Sequence, residues 1–209
     1  MDFAFTEEHE SVRETVRRFA AAEIAPIARQ HDDDETFPKD MFRKWGDLGL
    51  LSVRYPAEDG GSGMDKISDC IVREELSYAS QSFASTWSAH THLGIWPIWK
   101  AGTPEQKAKY LPGAFSGRKI SAFGLSEPGG GSNIRAMSTK AEKIDGGWRI
   151  SGAKTYISNS PFADFMLLAA RTSPELKPHA ISLFIVDLPN PAVVIHKLNK
   201  EGIRASETG

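Results

Sequence analysis

Ala122-Phe-Gly-Leu-Ser-Glu-Pro-Gly-Gly-Gly-Ser-Asn133 holds the densest glycine cluster of the chain, directly after the apolar run 120–125. Backbone N–H groups in such a loop can face an anion, and glycines let a pyrophosphate approach closely. It is not a Walker loop, because no Lys-Ser/Thr follows, and Gly129-x-Gly131 lacks the third glycine of a dinucleotide fingerprint. On composition alone the simpler reading is a surface turn whose glycines adopt positive φ. Other reactive residue types carry weaker patterns. His90 and His92 form H-x-H with no HExxH motif or thiolate beside them, so no metal site is expected. Ser126, Ser132 and Ser158 lack a G-x-S-x-G elbow, which argues against a hydrolase. Arg13, Arg17 and Arg18 read as the solvated face of a helix, and Trp87, Trp96 and Trp99 as core at helical spacing.

The elements that must position these residues change character near residues 112–118. Before that point, Thr6 with Glu7 and Glu8 reads as a helix N-cap, and Val12, Val16, Phe19, Ala20 and Ile24 give an amphipathic stripe ending near Pro26 or shortly beyond it. Helices are also expected over 39–48, around 67–76, over the apolar stretch 83–99, and over 106–111 behind the capping box Thr103-Pro-Glu-Gln106. Residues 56–63 are a loop. After Pro112, the runs 120–125, 148–151, 154–157, 165–171, 181–187 and 192–195 are short, β-branched or aromatic, and separated by turn residues, with a hairpin turn at Asp145-Gly146-Gly147. The fold class is therefore α+β: an all-α N-terminal helical domain over 1–115, then a strand-rich unit over 116–209.

Bulk composition bounds the function. The 209 residues are 40% hydrophobic, enough for a packed core, and the formal net charge of -2 gives no pull toward nucleic acid or an anionic bilayer. The expected partners are small molecules or proteins. Cys70 is the only cysteine, so an internal disulfide or a C-x-x-C site is excluded. The acidic start, Met1-Asp-Phe-Ala-Phe-Thr-Glu-Glu, differs from a targeting peptide, and no apolar run suits a membrane span. A soluble cytoplasmic protein is the expectation.

The glycine segment closely resembles the signature of the acyl-CoA dehydrogenases. A second family segment follows in the same order as Lys154-Thr-Tyr-Ile-Ser-Asn159. Further family-like stretches are Pro56-Ala-Glu-Asp-Gly-Gly61, Gly102-Thr-Pro-Glu-Gln-Lys-Ala-Lys-Tyr-Leu-Pro112 and Gly202-Ile-Arg-Ala-Ser206, so the resemblance runs the whole length. It implies FAD as cofactor, an acyl-CoA substrate, electron transfer flavoprotein as acceptor and a homotetramer. By the same resemblance Phe123, Leu125 and Ser126 approach the isoalloxazine, Ser132 approaches the pyrophosphate and the acyl-CoA, and Gly131 is among the cofactor-binding residues. Tyr156 and Ile157 lie against the ring system, and the Ser158 hydroxyl lies near flavin N5.

The chain departs from the family signature at Asn133, where Asp is usual, at Tyr156 for Trp, at Ser158 for Thr, and at Ser160-Pro161, where glycine is common. Tyr keeps an aromatic face and Ser keeps a hydroxyl. In the family, a C-terminal helical domain supplies the catalytic glutamate, so the base is expected beyond Gly209 and no residue here inherits that role. Glu127 reads as a loop carboxylate bonded to neighbouring amides. The resemblance also implies that the helix over 83–99 lines the acyl pocket, where Trp87 and Trp96 would shorten it. The tail carries no closing strand, so a truncated chain with an incomplete β-barrel-like middle domain is expected, the C-terminal helical bundle being absent. Two rivals share these motifs: a nitroalkane oxidase or flavin monooxygenase of the same superfamily, and a non-catalytic scaffold subunit completed by another chain.

Overall fold

The helical half is built on capped starts and one aromatic core. In the computed structural model, which describes residues 4–173 and 180–209, the Thr6 hydroxyl accepts the His9 N–H and the His9 ring accepts the Thr6 N–H, each at 3.2 Å. The first three residues of the acidic start lie outside the described residues. From this box runs α1 (Glu7–Phe19), then a π-helical turn (Ala20–Ile24) and α2 (Ala25–Asp34). The expected end near Pro26 is corrected: the helical path reaches Asp34. The wide turn just ahead of Pro26 changes the hydrogen-bond step where the ring would break a regular α-helix.

Next come α3 (Met41–Asp47), α4 (Lys66–Ala79) and α5 (Gln81–Ser88). A second π segment (Ala89–Ile95) leads into α6 (Trp96–Ala101), and α7 (Pro104–Phe115) follows. The Thr103–Gln106 capping box forms as expected. However, α7 runs through Pro112 to Phe115, because Leu111, Ala114 and Phe115 all bury on one apolar cluster. That burial outweighs one missing backbone donor. Phe37, Phe42, Trp45, Phe83 and Trp87 form the main core with Val16, Ile24 and Leu76. Fully burying a side chain such as Phe83 stabilises by roughly 2–3 kcal/mol.

The strands are β1 (Ser121–Gly124), β2 (Lys140–Ile144), β3 (Gly147–Ser151), β4 (Phe165–Arg171) and β5 (Ile181–Asp187). Central β4 is parallel to β1 from Ser121↔Phe165 to Gly124↔Leu168, and antiparallel to β5 along its whole length. It meets the β2–β3 hairpin at Lys140↔Arg171. The result is the expected α+β order, with an open mixed sheet. Tyr55, Ile95, Leu111 and Phe115 pack on Phe165 and Leu167, so helices and sheet share a core.

Three strand expectations need correction. The run 154–157 is irregular, because Tyr156 at φ 62° and Asn159 at φ 68° take it out of any ladder. The run 192–195 forms no strand: a turn at 191–192, in which the Asn190 side chain accepts the Ala192 N–H, leads into irregular chain, and Pro189 and Pro191 just before it remove two strand donors. Conversely β2, Lys-Ala-Glu-Lys-Ile, has no apolar alternation and buries only Ala141, so its pairing with β3 defines it.

Candidate functional site

The parallel pairing with β4 holds residues 121–124 in the sheet, and Leu125 and Ser126 leave its end into the glycine loop. The second segment then lies directly against it. The Thr155 N–H donates to the Ser126 carbonyl at 3.0 Å, and Lys154 Nζ donates to the Leu125 carbonyl at 3.1 Å. Two stretches nearly thirty residues apart thereby become one wall.

Glu127 sits at the neck of the loop. Its carboxylate accepts the Ser138 N–H at 2.6 Å, the Ser138 hydroxyl at 2.7 Å, the Thr139 N–H at 2.9 Å and Lys154 Nζ at 2.9 Å. Its backbone exchanges two hydrogen bonds with Gly130, each 3.0 Å, which turns the chain at Pro128-Gly129. The Glu127 and Lys154 side chains are 6% and 7% exposed, so the pair is dry. Burial opposes ionisation of Glu127, but the donors from Thr139, Ser138 and Lys154 together outweigh it and hold the carboxyl far below its usual range. Burial likewise pushes the Lys154 ammonium below its ordinary value, with Glu127 offsetting part of the shift.

Beyond the neck the loop is open. A Cβ at Gly129 or Gly130 would meet nothing within 4 Å, and one at Gly131 only the Ser126 hydroxyl at 3.5 Å. None of the three has φ in the left-handed region. The simpler reading, a turn requiring positive φ, is therefore corrected: neither backbone conformation nor packing within this chain demands glycine here.

Of the residues singled out in sequence, Phe123, Leu125, Ser126 and Ser158 are partly buried, whereas Gly131 and Ser132 are exposed. The Tyr156 ring is 73% exposed. Ile157 differs: its side chain is buried with Ala122, Ala163 and Met166, and its N–H and C=O both bond Gly209, at 2.7 and 3.1 Å. Ser158 bridges Thr208, so residues 207–209 back the second segment. Asn159 closes it: its side-chain amide donates to the Thr86 and Ser121 carbonyls at 3.1 and 3.3 Å, joining α5 and β1. Behind this segment a cavity of about 590 Å³ is lined by Trp148, Ile150, Met166, Leu168, Val193 and Ile195.

Sequence reasoning missed the roles of Lys154, Ser138, Thr139 and Asn159. Only a lysine and an asparagine flanking Thr-Tyr-Ile-Ser hinted at them, and both are common on surfaces. His90 and His92 do not converge. His90 bonds Ala114 and Ser121, whereas His92 bonds Asp69 at 2.7 Å and Ser88 at 3.0 Å. Among the described residues no group of three His, Cys, Asp or Glu is arranged to hold a metal ion. Trp87 is wholly buried in the helical core with its indole N–H on the Leu50 carbonyl at 2.9 Å. Trp96 remains 36% exposed.

Residues 6–118 match the model of the acyl-CoA dehydrogenase N-terminal domain, and residues 122–209 that of the middle domain. A mitochondrial short-chain specific acyl-CoA dehydrogenase from Bos taurus is 39% identical over 97% of this chain and 49% of its own length. A mitochondrial isovaleryl-CoA dehydrogenase from Oryza sativa subsp. japonica is 38% identical over 98% of this chain and 51% of its own. A glutaryl-CoA dehydrogenase from Mycobacterium smegmatis, solved in complex with FADH2, superposes with a TM-score of 0.92 at 28% identity, covering 98% of this chain and 52% of that one. The chain thus spans about half the length of the relatives it matches. With both domain models in register and the two site segments brought into contact, the chain belongs to the acyl-CoA dehydrogenase family.

Proposed function

We propose that the full-length protein is an FAD-dependent acyl-CoA dehydrogenase, which takes an α-proton and a β-hydride from an acyl-CoA thioester. The observation that carries this reading is the single wall made by residues 122–133 and 154–159, tied by Thr155 to Ser126 and by Lys154 to Leu125. The residues present fit the cofactor. Glycines 129–131 leave open space that neither φ nor internal packing requires, which suits close approach of a bulky anionic group.

When bound, FAD would accept the hydride at its N5. The chain's own residues do the rest of what this half contributes. Phe123, Leu125 and Ser126 wall the ring system, and backbone groups with the Ser126 hydroxyl satisfy its polar edge. Gly131 and Ser132 hold the pyrophosphate, with Ser132 also toward the thioester. The exposed Tyr156 ring would pack on the flavin, with Ile157 and its backbone bonds to Gly209 backing the segment, and the Ser158 hydroxyl would serve as a donor to the ring system. The proton acceptor is assigned to a carboxylate outside residues 1–209. Glu127 is unfit for it, because a carboxylate held ionised by Ser138, Thr139 and Lys154 has little drive to take a proton. Electron transfer flavoprotein is the proposed acceptor, and the full-length protein a homo-oligomer.

The test is a visible spectrum of the full-length protein, followed by anaerobic addition of isovaleryl-, butyryl- and glutaryl-CoA. Flavin bands that bleach with one thioester are the expected result, and a full-length protein with no flavin would overturn the reading. Bleaching by a nitroalkane and by no thioester would favour the oxidase relative instead. The 209-residue chain alone is expected to retain FAD weakly or not at all, and stoichiometric FAD after gel filtration would contradict that expectation.

A further inference from the structure

The glycine loop is closed by one carboxylate. Glu127 stands at its entry and Ser138 and Thr139 at its exit, so the Glu127 carboxylate ties the entry of an Ω-shaped loop to its exit at 2.6 to 2.9 Å. The fourth partner, Lys154, comes from the other segment, and its ammonium also holds the Leu125 carbonyl at 3.1 Å. Each charge therefore fastens backbone of the wall, and each is almost wholly buried. A pair of opposite charges in so dry a place loses much solvation, which its mutual attraction and its bonds to the Ser138, Thr139 and Leu125 backbone must offset. An apolar pair would be neutral too, but it would leave the Ser138 and Thr139 N–H groups and the Leu125 carbonyl without these partners and the two segments without their tie.

We propose that Glu127 and Lys154 are positioning residues of the flavin site, which set the register of the two segments and keep the wall behind Leu125 and Ser126 electrically neutral. The proposal rests on the flavin reading above. In its terms Lys154 and Glu127 touch neither substrate nor cofactor. Glu127 closes the loop that presents Gly131 and Ser132, and Lys154 joins that loop to the segment that presents Tyr156 and Ser158. Removing one partner leaves the other buried and unbalanced, and the sign of the charge left behind differs between the two removals.

The experiment compares the full-length protein with Glu127→Gln, Lys154→Met, the double variant and Lys154→Arg. Three quantities are read: the dissociation constant for FAD, the flavin midpoint potential, and the thermal midpoint of the FAD-free protein. Glu127→Gln and Lys154→Met are each expected to weaken FAD binding about tenfold or more. Glu127→Gln, with the ammonium left uncompensated, is expected to raise the potential, because positive charge favours the electron-rich reduced flavin. Lys154→Met is expected to lower it. The double variant falls between them, with losses that are not additive, and Lys154→Arg restores both quantities toward wild type.

Wild-type potential and FAD affinity in both single variants would overturn the proposal. So would potentials that shift in the same direction and follow only the thermal midpoint, since that is the behaviour of a staple. If Glu127→Gln does not fold, Ser138→Ala removes one donor at the neck and leaves the pair intact. It is expected to weaken FAD binding about fivefold, and an unchanged constant there would also overturn the proposal. A wild-type protein that holds no flavin would overturn the flavin reading itself, which separates that failure from this one.

Discussion

Between pH 6.5 and pH 4 the protein is expected to lose about 3 kcal/mol of stability through His90 alone. The ring is fully buried in the second π segment, and its two nitrogens have partners that select one neutral form. Nε2 lies 3.0 Å from the Ala114 carbonyl, which can only accept, so Nε2 carries the hydrogen. Nδ1 accepts the Ser121 N–H at 3.0 Å and lies 2.9 Å from the Ser121 hydroxyl, so it must keep its lone pair. Burial pushes the imidazole down to about 4, and the Ala114 carbonyl offsets only part of that.

The direction follows from linkage. The folded value lies below the ordinary 6.5, so between pH 6.5 and 4 the unfolded chain binds a proton that the folded chain refuses. Stability from this group is complete above pH 6.5 and falls as the pH drops toward 4. Urea unfolding of wild type and His90→Gln at pH 7.5 and pH 4.5 checks it. At pH 7.5 the variant should be less stable, and the gap should narrow by about 2–3 kcal/mol at pH 4.5. A gap independent of pH would show that His90 does not carry the effect. Glu127 also loses stability in acid, but only as the pH falls below the ordinary carboxylate value of 4.5, and it does so in both proteins.

Gly94→Ala is the second large effect, expected to cost about 1–3 kcal/mol and to lower the thermal midpoint by roughly 3–10 °C. Gly94 lies in the same π segment, buried where that segment meets β1, and a Cβ there would overlap both the Cβ and the hydroxyl of Ser121. The overlap cannot be relieved by swinging a long side chain, because Ser121 is itself held by His90. Either the π segment or β1 must move. Since β1 leads directly into residues 122–126, FAD retention in the full-length protein should fall with it. Gly147→Ala is the control, because a Cβ at Gly147 meets nothing within 4 Å and its φ is not left-handed. That change should stay within about 0.5 kcal/mol. If the two variants melted together, close approach of the π segment to β1 would not be a constraint.

Both predictions turn on features that no periodicity announces. His90 within H-x-H carries the same sequence pattern whether it pins a helix to a strand or points into solvent. The apolar stripe through residues 83–99 correctly indicates buried helix, but it carries no sign of the π step over Ala89–Ile95 or of the close approach of Gly94 to Ser121 in another part of the chain. The same contrast separates the strands. The runs 165–171 and 181–187 are legible to the residue: β4 is a largely apolar run buried at the sheet centre, and β5 is rich in β-branched and aromatic residues that favour a strand, although none of its residues is fully buried. Lys140–Ile144 is illegible because its sequence is polar and its partner supplies the order. Residues 154–157 look like a strand because Tyr, Ile and Thr favour one, yet left-handed φ at Tyr156 and Asn159 bends the chain toward Thr86, Ser121 and residues 207–209.

By itself the sequence determined the α+β order, the capped helix starts, the two strongest strands and the family, since each rests on local patterning or on a contiguous motif. It also named the two segments of the candidate site. Only the tertiary structure decided that those segments touch, that Glu127 and Lys154 form a dry pair between them, and that the loop glycines are free of any backbone demand. The reason is physical: hydrogen bonds and burial between residues far apart in the chain leave no spacing rule in the sequence, so a surface lysine and a buried one are written with the same letter.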